Sequence, residues 1–501
     1  MNDRTSSYRR ILKSSSIIGG ASVANVVIGV LRTKILAILL GPAGVGITSL
    51  YTGLITTASG FAQMGVGTVG TRQIAEACSR DDKRSLLVAR RAMFWGTLFL
   101  ASSGALIVWL FRFLIATWVL GNASQSGTVG WLALGVAFSV AGAAQGALIQ
   151  GMRRIADIAR LSVYGSIFST ILGVGLLWWW RGAGLVAYVV ISPVVSFILG
   201  HIYVSRLPKV EEDKVSIQEL SMQWVTLLRL GLAFVCAGLS TSLIQLWIRI
   251  YIAKKLGAVA LGQYQAAWII TMQYSSFVLA AMGADYYPRL TGLIHEHKAA
   301  VHLVNEQTEI AVLLSSPVFI AMMAIAPWVV HILYTRSFTP AVEILRWQIL
   351  GDVLKVLSWS LGYLILAAGD AKTFFWSESG VTLITAGVIV GLVPVIGLRA
   401  TGISYAVCYV IHVPIVYWIA RRKIGFRWEN SVLLISSVSF VLCVAVGILA
   451  IVSQWAGLVG IIIAVIFTVY SIGRVTYMSN VDGPIGAAGK FARLITRSDS
   501  A

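Results

Sequence analysis

Gln348, Asp352, Lys355 and Trp359 lie in one apolar run at spacings of four, three and four, so an α-helix would stack them on a single face. An amide, a carboxylate, an ammonium and an indole in one column can hold an anion, bind a coupling ion, or neutralise one another. Glu343 and Arg346 stand in the same run, and Glu378 in the next. Two other runs carry cations: Arg32 and Lys34 near the start of the chain, and Arg249, which shares a helical stripe with Ser242 and Gln245. Asn25, Gly29 and Arg32 form another polar stripe. A cation at the centre of a lipid-facing helix costs about 3 kcal/mol, so these side chains are expected to face protein, water or an anionic ligand. Arg229, nearer an inner end, is expected to snorkel. Arg32, Lys34, Arg249, Arg346 and Lys355 outnumber Glu343, Asp352 and Glu378, which points to an anionic cargo. The five cations, with Gln245 and Gln348 as neutral partners, are the expected substrate-binding residues. Asp352 and Glu378 are the expected gating or ion-coupling groups. The plainer alternatives are an i,i+3 pair of Asp352 with Lys355 that locks helices together, and an inner-end cap for Glu378.

The elements that carry these residues follow from composition. Of 501 residues 57% are apolar, whereas Lys and Arg number 39 and Asp and Glu 20. A spanning helix uses roughly 20 apolar residues, so about fourteen spans would consume nearly the whole supply. Long apolar runs with short polar joints recur from about residue 14 to about residue 478, leaving no room for a large soluble domain. The runs are continuous rather than alternating, so the expected fold is an all-α polytopic membrane protein. The four cysteines, Cys78, Cys236, Cys408 and Cys443, have no paired or metal-ligand spacing and read as packing residues.

Basic residues set the expected orientation. With the N-terminus inside, 27 of the 39 fall in inner joints and tails, and 6 in outer joints: Arg112, Arg181, Lys254, Lys255, Arg336 and Arg399. Both termini are therefore expected in the cytoplasm. The net charge of +19 is scattered over successive joints, so it is a topology charge and not a nucleic-acid footprint.

The chain also repeats itself. A shift of 216 carries Leu40, Gly41 and Gly46 onto Leu256, Gly257 and Gly262, Gly67 onto Gly283, and Gly146, Leu148 and Ile149 onto Gly362, Leu364 and Ile365. The spans recur after six, an even number, so the halves are expected as parallel lobes around a central cavity. The expected divisions are an N-lobe over 1–204, a cytoplasmic linker over 205–224, a C-lobe over 225–425, and two further spans with a tail over 426–501.

The stretch Lys34 to Gly46, KILAILLGPAGVG, and the segment Trp347 to Ala367, WQILGDVLKVLSWSLGYLILA, resemble the Wzx-type polysaccharide flippases of the MOP superfamily, in particular translocases for enterobacterial common antigen. The resemblance covers about residues 10 to 425, and Gly351 to Lys355 is its most specific part. It implies two six-helix lobes in a V, a bacterial inner-membrane location, and a cargo of undecaprenyl-diphosphate-linked oligosaccharide moved by alternating access. It also implies that Lys34, Asp352 and Lys355 match charged family positions, and that membrane lipids and a polysaccharide polymerase are neighbours. Arg32 and Arg249 have no matched family position, and the last two spans exceed the twelve-span core. A lipid–sugar head group would be held by the cations, and Tyr51, Trp247, Trp268, Tyr274 and Trp359 are aromatic candidates for stacking on sugars, with packing as the commoner role.

No nucleophile and base stand together, so the chain is expected to be a transporter and not an enzyme, without metal or organic cofactor, coupled to protons or sodium. Gly65 to Gly70, GVGTVG, lacks the βαβ setting of a dinucleotide site. His295, His297 and His302 read as a solvated connector, not a metal cluster. The sequon at Asn122 is set aside. Rival readings in the same fold are a lipid II flippase and a MATE-type drug exporter, the latter expected to have an acidic cavity. A membrane glycosyltransferase or O-antigen polymerase would carry catalytic carboxylates on a long extramembrane loop, which is not seen.

Overall fold

A computed structural model describes residues 2–80, 82–208 and 215–479. Lys209, Lys214, Lys490, Arg493 and Arg497, which are among the 27 cations expected on the inner side, lie outside the described residues, as do the side chains of Arg4, Arg9, Arg10, Lys13, Arg229 and Cys236. Every regular element among the described residues is helical. Apolar runs in a medium without water leave the backbone to satisfy its own N–H and C=O groups, and the helix does this within one segment.

The order begins α1 (Asn2–Gln63), α2 (Val66–Ser79), α3 (Lys83–Leu110), α4 (Arg112–Ile115), α5 (Ser126–Gly151), α6 (Ile155–Trp180), α7 (Gly184–Ser205) and α8 (Ile217–Ala281). It continues with α9 (Tyr287–Leu293), α10 (His297–Leu333), α11 (Pro340–Ala367), α12 (Ala371–Ile396), α13 (Arg399–Ile424), α14 (Asn430–Val452), α15 (Gln454–Gly457) and α16 (Val459–Ser479). Acidic caps start two of them: Asp82 accepts from the Ser85 amide and Asp370 from the Thr373 amide, both at 2.9 Å.

Ten stretches among the described residues are long and apolar enough to cross a membrane. Two of these, Ile17–Gln63 and Ile155–Ser205, run to 47 and 51 residues. Each holds two crossings, divided at Gly41 and at the 3-10 turn Arg181–Ala183 respectively. Helix α8, 65 residues long and broken at Gly257, has the length for two more. The result is about fourteen crossing-length segments, at roughly 20 residues each.

The two breaks share one geometry. Gly41 has φ 60° and ψ −169°, and Gly257 has φ 87° and ψ 169°, and they stand 216 residues apart, the same offset as the sequence repeat. The arms that follow meet at two other glycines with that offset. A Cβ on Gly46 would strike the Ala258 carbonyl oxygen, and a Cβ on Gly262 would strike the Pro42 carbonyl oxygen. Pro42 and Ala258 are themselves 216 apart, so the contact is reciprocal.

The apolar run that the sequence carries over about 47–69 is not one helix: α1 stops at Gln63, and Met64 and Gly65 turn the chain at φ 43° and 72°. The separate helix α2 then buries Val66, Val69, Ile74 and Ala77 on one face and leaves Arg72 exposed. Its charged face belongs at a polar boundary, whereas the preceding arm is apolar.

The chain forms two compact units, Met1–Gly262 and Gln263–Ala501. In the first, α5 packs against α3 and α7, and α6 against α1 and α7. In the second, α11 packs against α13, and α10 against α11, α14 and α16. The last two spans are held by a buried carboxylate: Glu309 of α10 accepts from Arg474 Nε of α16 and from Ser431 Oγ of α14, each at 2.9 Å.

Candidate functional site

In the second unit the column on α11 is assembled as its spacing requires, and it is closed by tyrosines from neighbouring helices. Asp352 is 1% exposed and Lys355 5%. Asp352 Oδ2 accepts from the Tyr274 hydroxyl at 2.6 Å, and Oδ1 from the Tyr405 hydroxyl at 2.8 Å. Lys355 Nζ donates to the Tyr405 hydroxyl at 2.9 Å and lies 3.6 Å from Asp352 Oδ1. The ammonium also sits 4.6 Å from the Trp359 ring centroid. Gln348, fully buried, accepts from Thr271 Oγ1 at 2.9 Å, and its buried Nε2 has no hydrogen-bond partner among the described residues. Glu378 on α12 is half-buried and comes within 4.0 Å of where a side chain on Gly362 of α11 would begin. The positive charge of Lys355 is thus neutralised at short range. Such a pair loses hydration on both sides and repays it only while its hydrogen bonds remain complete.

Arg346 stands elsewhere. Nine residues from Lys355 is two and a half helical turns, which puts it on the opposite face of α11. Its Nη2 approaches the Ala450 carbonyl at 3.4 Å, and it lines a separate cavity of about 1220 Å³ with Glu343, His331 and Arg399. At the rim, Arg399 pairs with Glu343 at 2.9 Å. The structure therefore brings together Gln348, Asp352 and Lys355, and not Arg346.

In the first unit Arg32, within the apolar stretch Ile17–Gln63, is half-buried against α7. Its Nε donates to the Tyr188 hydroxyl at 2.6 Å, and its guanidinium carbon lies 4.9 Å from that ring's centroid. Asn25, two turns before, donates to Ser162 Oγ at 2.7 Å. No carboxylate pairs with Arg32 among the described residues. Lys34 is half-buried on another side of α1. Arg249 of α8 lies along the second arm of α1: its Nη1 approaches the Ser49 carbonyl at 3.4 Å and covers Gly53, where a Cβ would come within 2.7 Å of it. Gln245, half-buried, follows on the same face of α8.

The tyrosines are the functional groups that sequence reasoning missed as polar partners. Tyr405 and Tyr188 were not singled out, and Tyr274 was considered only as a stacking surface. Tyr405, Tyr409 and His412 fall at i, i+4 and i+7 on α13, a polar-tipped stripe that could have flagged them. Of the other aromatic candidates, Tyr51 is buried, Trp268 meets Tyr405 edge-on at 5.9 Å, and Trp359 lies beside Lys355. Trp247 is 46% exposed and stacks on Tyr251 at 5.4 Å.

Residues 35–343 match a family model described as polysaccharide biosynthesis protein. The lipid III flippase of Escherichia coli (strain K12) is 23% identical over 433 residues, covering 82% of this chain and 99% of that protein. Among solved structures, the lipid II flippase MurJ in an inward closed conformation superposes with a TM-score of 0.67 at 12% identity, covering 94% of this chain and 100% of that one. An inward-facing multidrug resistance MATE transporter of the MOP superfamily superposes at 0.61 with 16% identity, covering 80% and 94%. The two structural likenesses concern the fold.

Proposed function

Because this chain belongs to the polysaccharide biosynthesis protein family, with a MOP-superfamily fold, we propose that it is a flippase for a lipid-linked oligosaccharide, carrying an undecaprenyl-diphosphate-linked repeat unit from the inner to the outer leaflet of a bacterial inner membrane by alternating access. The lipid III flippase named above, related along 82% of this chain, supports the choice of cargo class. The observation that carries the reading is Arg32. It is a half-buried guanidinium in an apolar span whose Nε donates to a neutral phenol, whereas Lys355 already has its counter-charge in Asp352. A diphosphate supplies the missing anion.

The physics requires such a group. A diphosphate and sugar hydroxyls cannot enter hydrocarbon unpaired, since each lost hydrogen bond costs several kcal/mol, roughly 2–7 for one neutral group. Arg32 offers a planar fork that matches phosphate oxygens, with Tyr188 fixing its Nε and leaving the terminal nitrogens available. Arg249 and Lys34 add charge in the same unit, and the prenyl tail stays in lipid. Moving negative charge outward against an inside-negative potential is favourable by about 2.3 kcal/mol per charge per 100 mV. Asp352 and Glu378 are the proposed ion-coupling pair for the return stroke. Protonation or sodium binding at Asp352 would weaken its hold on Lys355 through Tyr405, which links the ion to the packing of α11 on α13. Gln348 belongs to this element, whereas Arg346 lines the separate cavity.

The test is restoration of surface polysaccharide in a cell deleted for its own flippase of this family. Wild type restores it, and Arg32→Ala and Arg249→Ala lose at least about tenfold at equal membrane abundance, the loss expected for a charge-assisted hydrogen bond. Full restoration by both variants would overturn the reading.

A further inference from the structure

The second arm of α1 and the adjoining part of α8 face one another with two polar, small-residue stripes. On α1, Ser49, Gly53, Thr56, Gly60 and Gln63 follow at spacings of four, three, four and three. On α8, Gly238, Ser242, Gln245 and Arg249 do the same. Two contacts fix the register: Arg249 lies on Ser49 and Gly53, and Leu239 approaches Gly60. Beyond Arg249 the stripes open into a cavity of about 400 Å³, lined by Thr56, Ser59, Gln63, Ser139 and Ser242. No charged side chain lines it among the described residues. Gly238 borders open space, since a Cβ there would meet nothing within 4 Å.

The chemistry of this lining is narrow. Four hydroxyls and one carboxamide supply donors and acceptors of neutral hydrogen bonds, and no charge. A phosphate would meet hydroxyl and amide donors there but no counter-charge, and an apolar molecule would leave these groups unpaired. Ser59 and Ser242 donate to carbonyls of their own helices and keep lone pairs for a donor from outside. Gln63 and Ser139 are half-buried and hold no side-chain hydrogen bond among the described residues. Sugar hydroxyls and N-acetyl amides are the matching ligand class. Seven residues of α8 separate Ser242 from Arg249, a rise of about 10 Å, and both project from one face. That separation lies within the reach of one molecule with a diphosphate at one end and sugars at the other.

We infer that this cavity is the subsite for the first sugars of the cargo, with Arg249 holding the diphosphate beside it. The inference rests on the transport reading and goes beyond it by naming the residues that select the sugar. It is tested with the full chain in lipid nanodiscs, titrated with undecaprenyl diphosphate and with the same lipid carrying one N-acetylhexosamine. The sugar-bearing lipid is expected to bind at least about tenfold tighter, the gain from two or so neutral hydrogen bonds. In the Gln63→Ala/Ser139→Ala double variant this preference collapses while affinity for the bare lipid is unchanged, and Arg249→Ala weakens both lipids equally. A preference that survives in the double variant, or a wild type that binds both lipids alike, overturns the sugar subsite and leaves the transport reading standing. Binding of neither lipid overturns the transport reading and the subsite with it.

Discussion

Lys355 and Asp352 stand 3.6 Å apart and are joined through a third residue, the Tyr405 hydroxyl, which accepts from Nζ at 2.9 Å and donates to Oδ1 at 2.8 Å. A buried pair of this kind is costly to break from one side, because the remaining charge keeps its desolvation cost without its partner. Asp352→Leu or Lys355→Met alone is expected to destabilise by about 3–5 kcal/mol. The double substitution is expected to recover most of that. Thermal unfolding of the four proteins in one detergent measures it, and additive single effects would contradict the pairing.

The reciprocal crossing near Gly41 and Gly257 makes a second prediction. Both residues occupy a backbone region that side chains avoid, at a cost of about 1–3 kcal/mol. Gly41→Ala and Gly257→Ala should each destabilise by that amount, through conformation alone, because a Cβ at either site meets nothing within 4 Å. Gly46→Ala and Gly262→Ala act differently, since there the Cβ meets a backbone carbonyl that cannot rotate away. Those two should be the more damaging, read as lower yield of folded protein and a lower apparent melting temperature. Equal effects at all four positions would contradict the distinction.

Where α12 begins and α13 ends, Asp370 caps α12 and also accepts from Lys423 Nζ at 2.6 Å. The hydrogen bond from Lys423, followed by those from Thr373, holds the Asp370 carboxyl well below the usual carboxylate range. A depressed carboxyl contributes stability that is complete above the unfolded value, about 3.9, and is lost as pH falls below it toward the folded value. Asp370→Asn should therefore lower the melting temperature by the same amount at pH 7 and pH 5, and by less as pH drops below about 4. A difference that grows in acid would have the wrong sign.

How far the sequence carried this picture depends on which interactions are local. The column Gln348, Asp352, Lys355 and Trp359 was legible because helical spacing alone puts it on one face. The same arithmetic places Arg346 on the opposite face, so standing in the same run does not bring it to the column. Tyr405 as the link between Lys355 and Asp352 was not legible, because it depends on which turn of α13 meets α11, a register set by packing. The end of α1 at Gln63 was masked by the apolar character of Val66 and Val69, which serve α2's buried face instead. The glycine repeat was readable as an offset, but the matching backbone angles at Gly41 and Gly257 needed coordinates.

The last two spans are fastened by one carboxylate, which sets a final prediction. Glu309 is 3% exposed, and its two oxygens are divided between Arg474 of α16 and Ser431 of α14. Nearby, Asn305 accepts from the Glu429 amide at 2.9 Å and donates to the Arg427 carbonyl at 3.0 Å, which anchors the segment leading into α14. Arg474→Ala leaves the carboxylate buried with a single neutral donor, and the expected cost is about 3–5 kcal/mol. Ser431→Ala removes only a neutral hydroxyl donor to a charged acceptor, worth about 1.5–3 kcal/mol. Because Arg474 is the partner that α16 itself supplies to Glu309, its loss should expose that helix to protease while α10 to α13 stay protected, and Glu309→Gln in the Arg474→Ala background should restore part of the protection by removing the unpaired charge. Limited proteolysis with mass spectrometry of the fragments distinguishes the variants. Cleavage in α16 that is unchanged by Arg474→Ala would show that packing of α16 on α10, and not this ion pair, holds it in place.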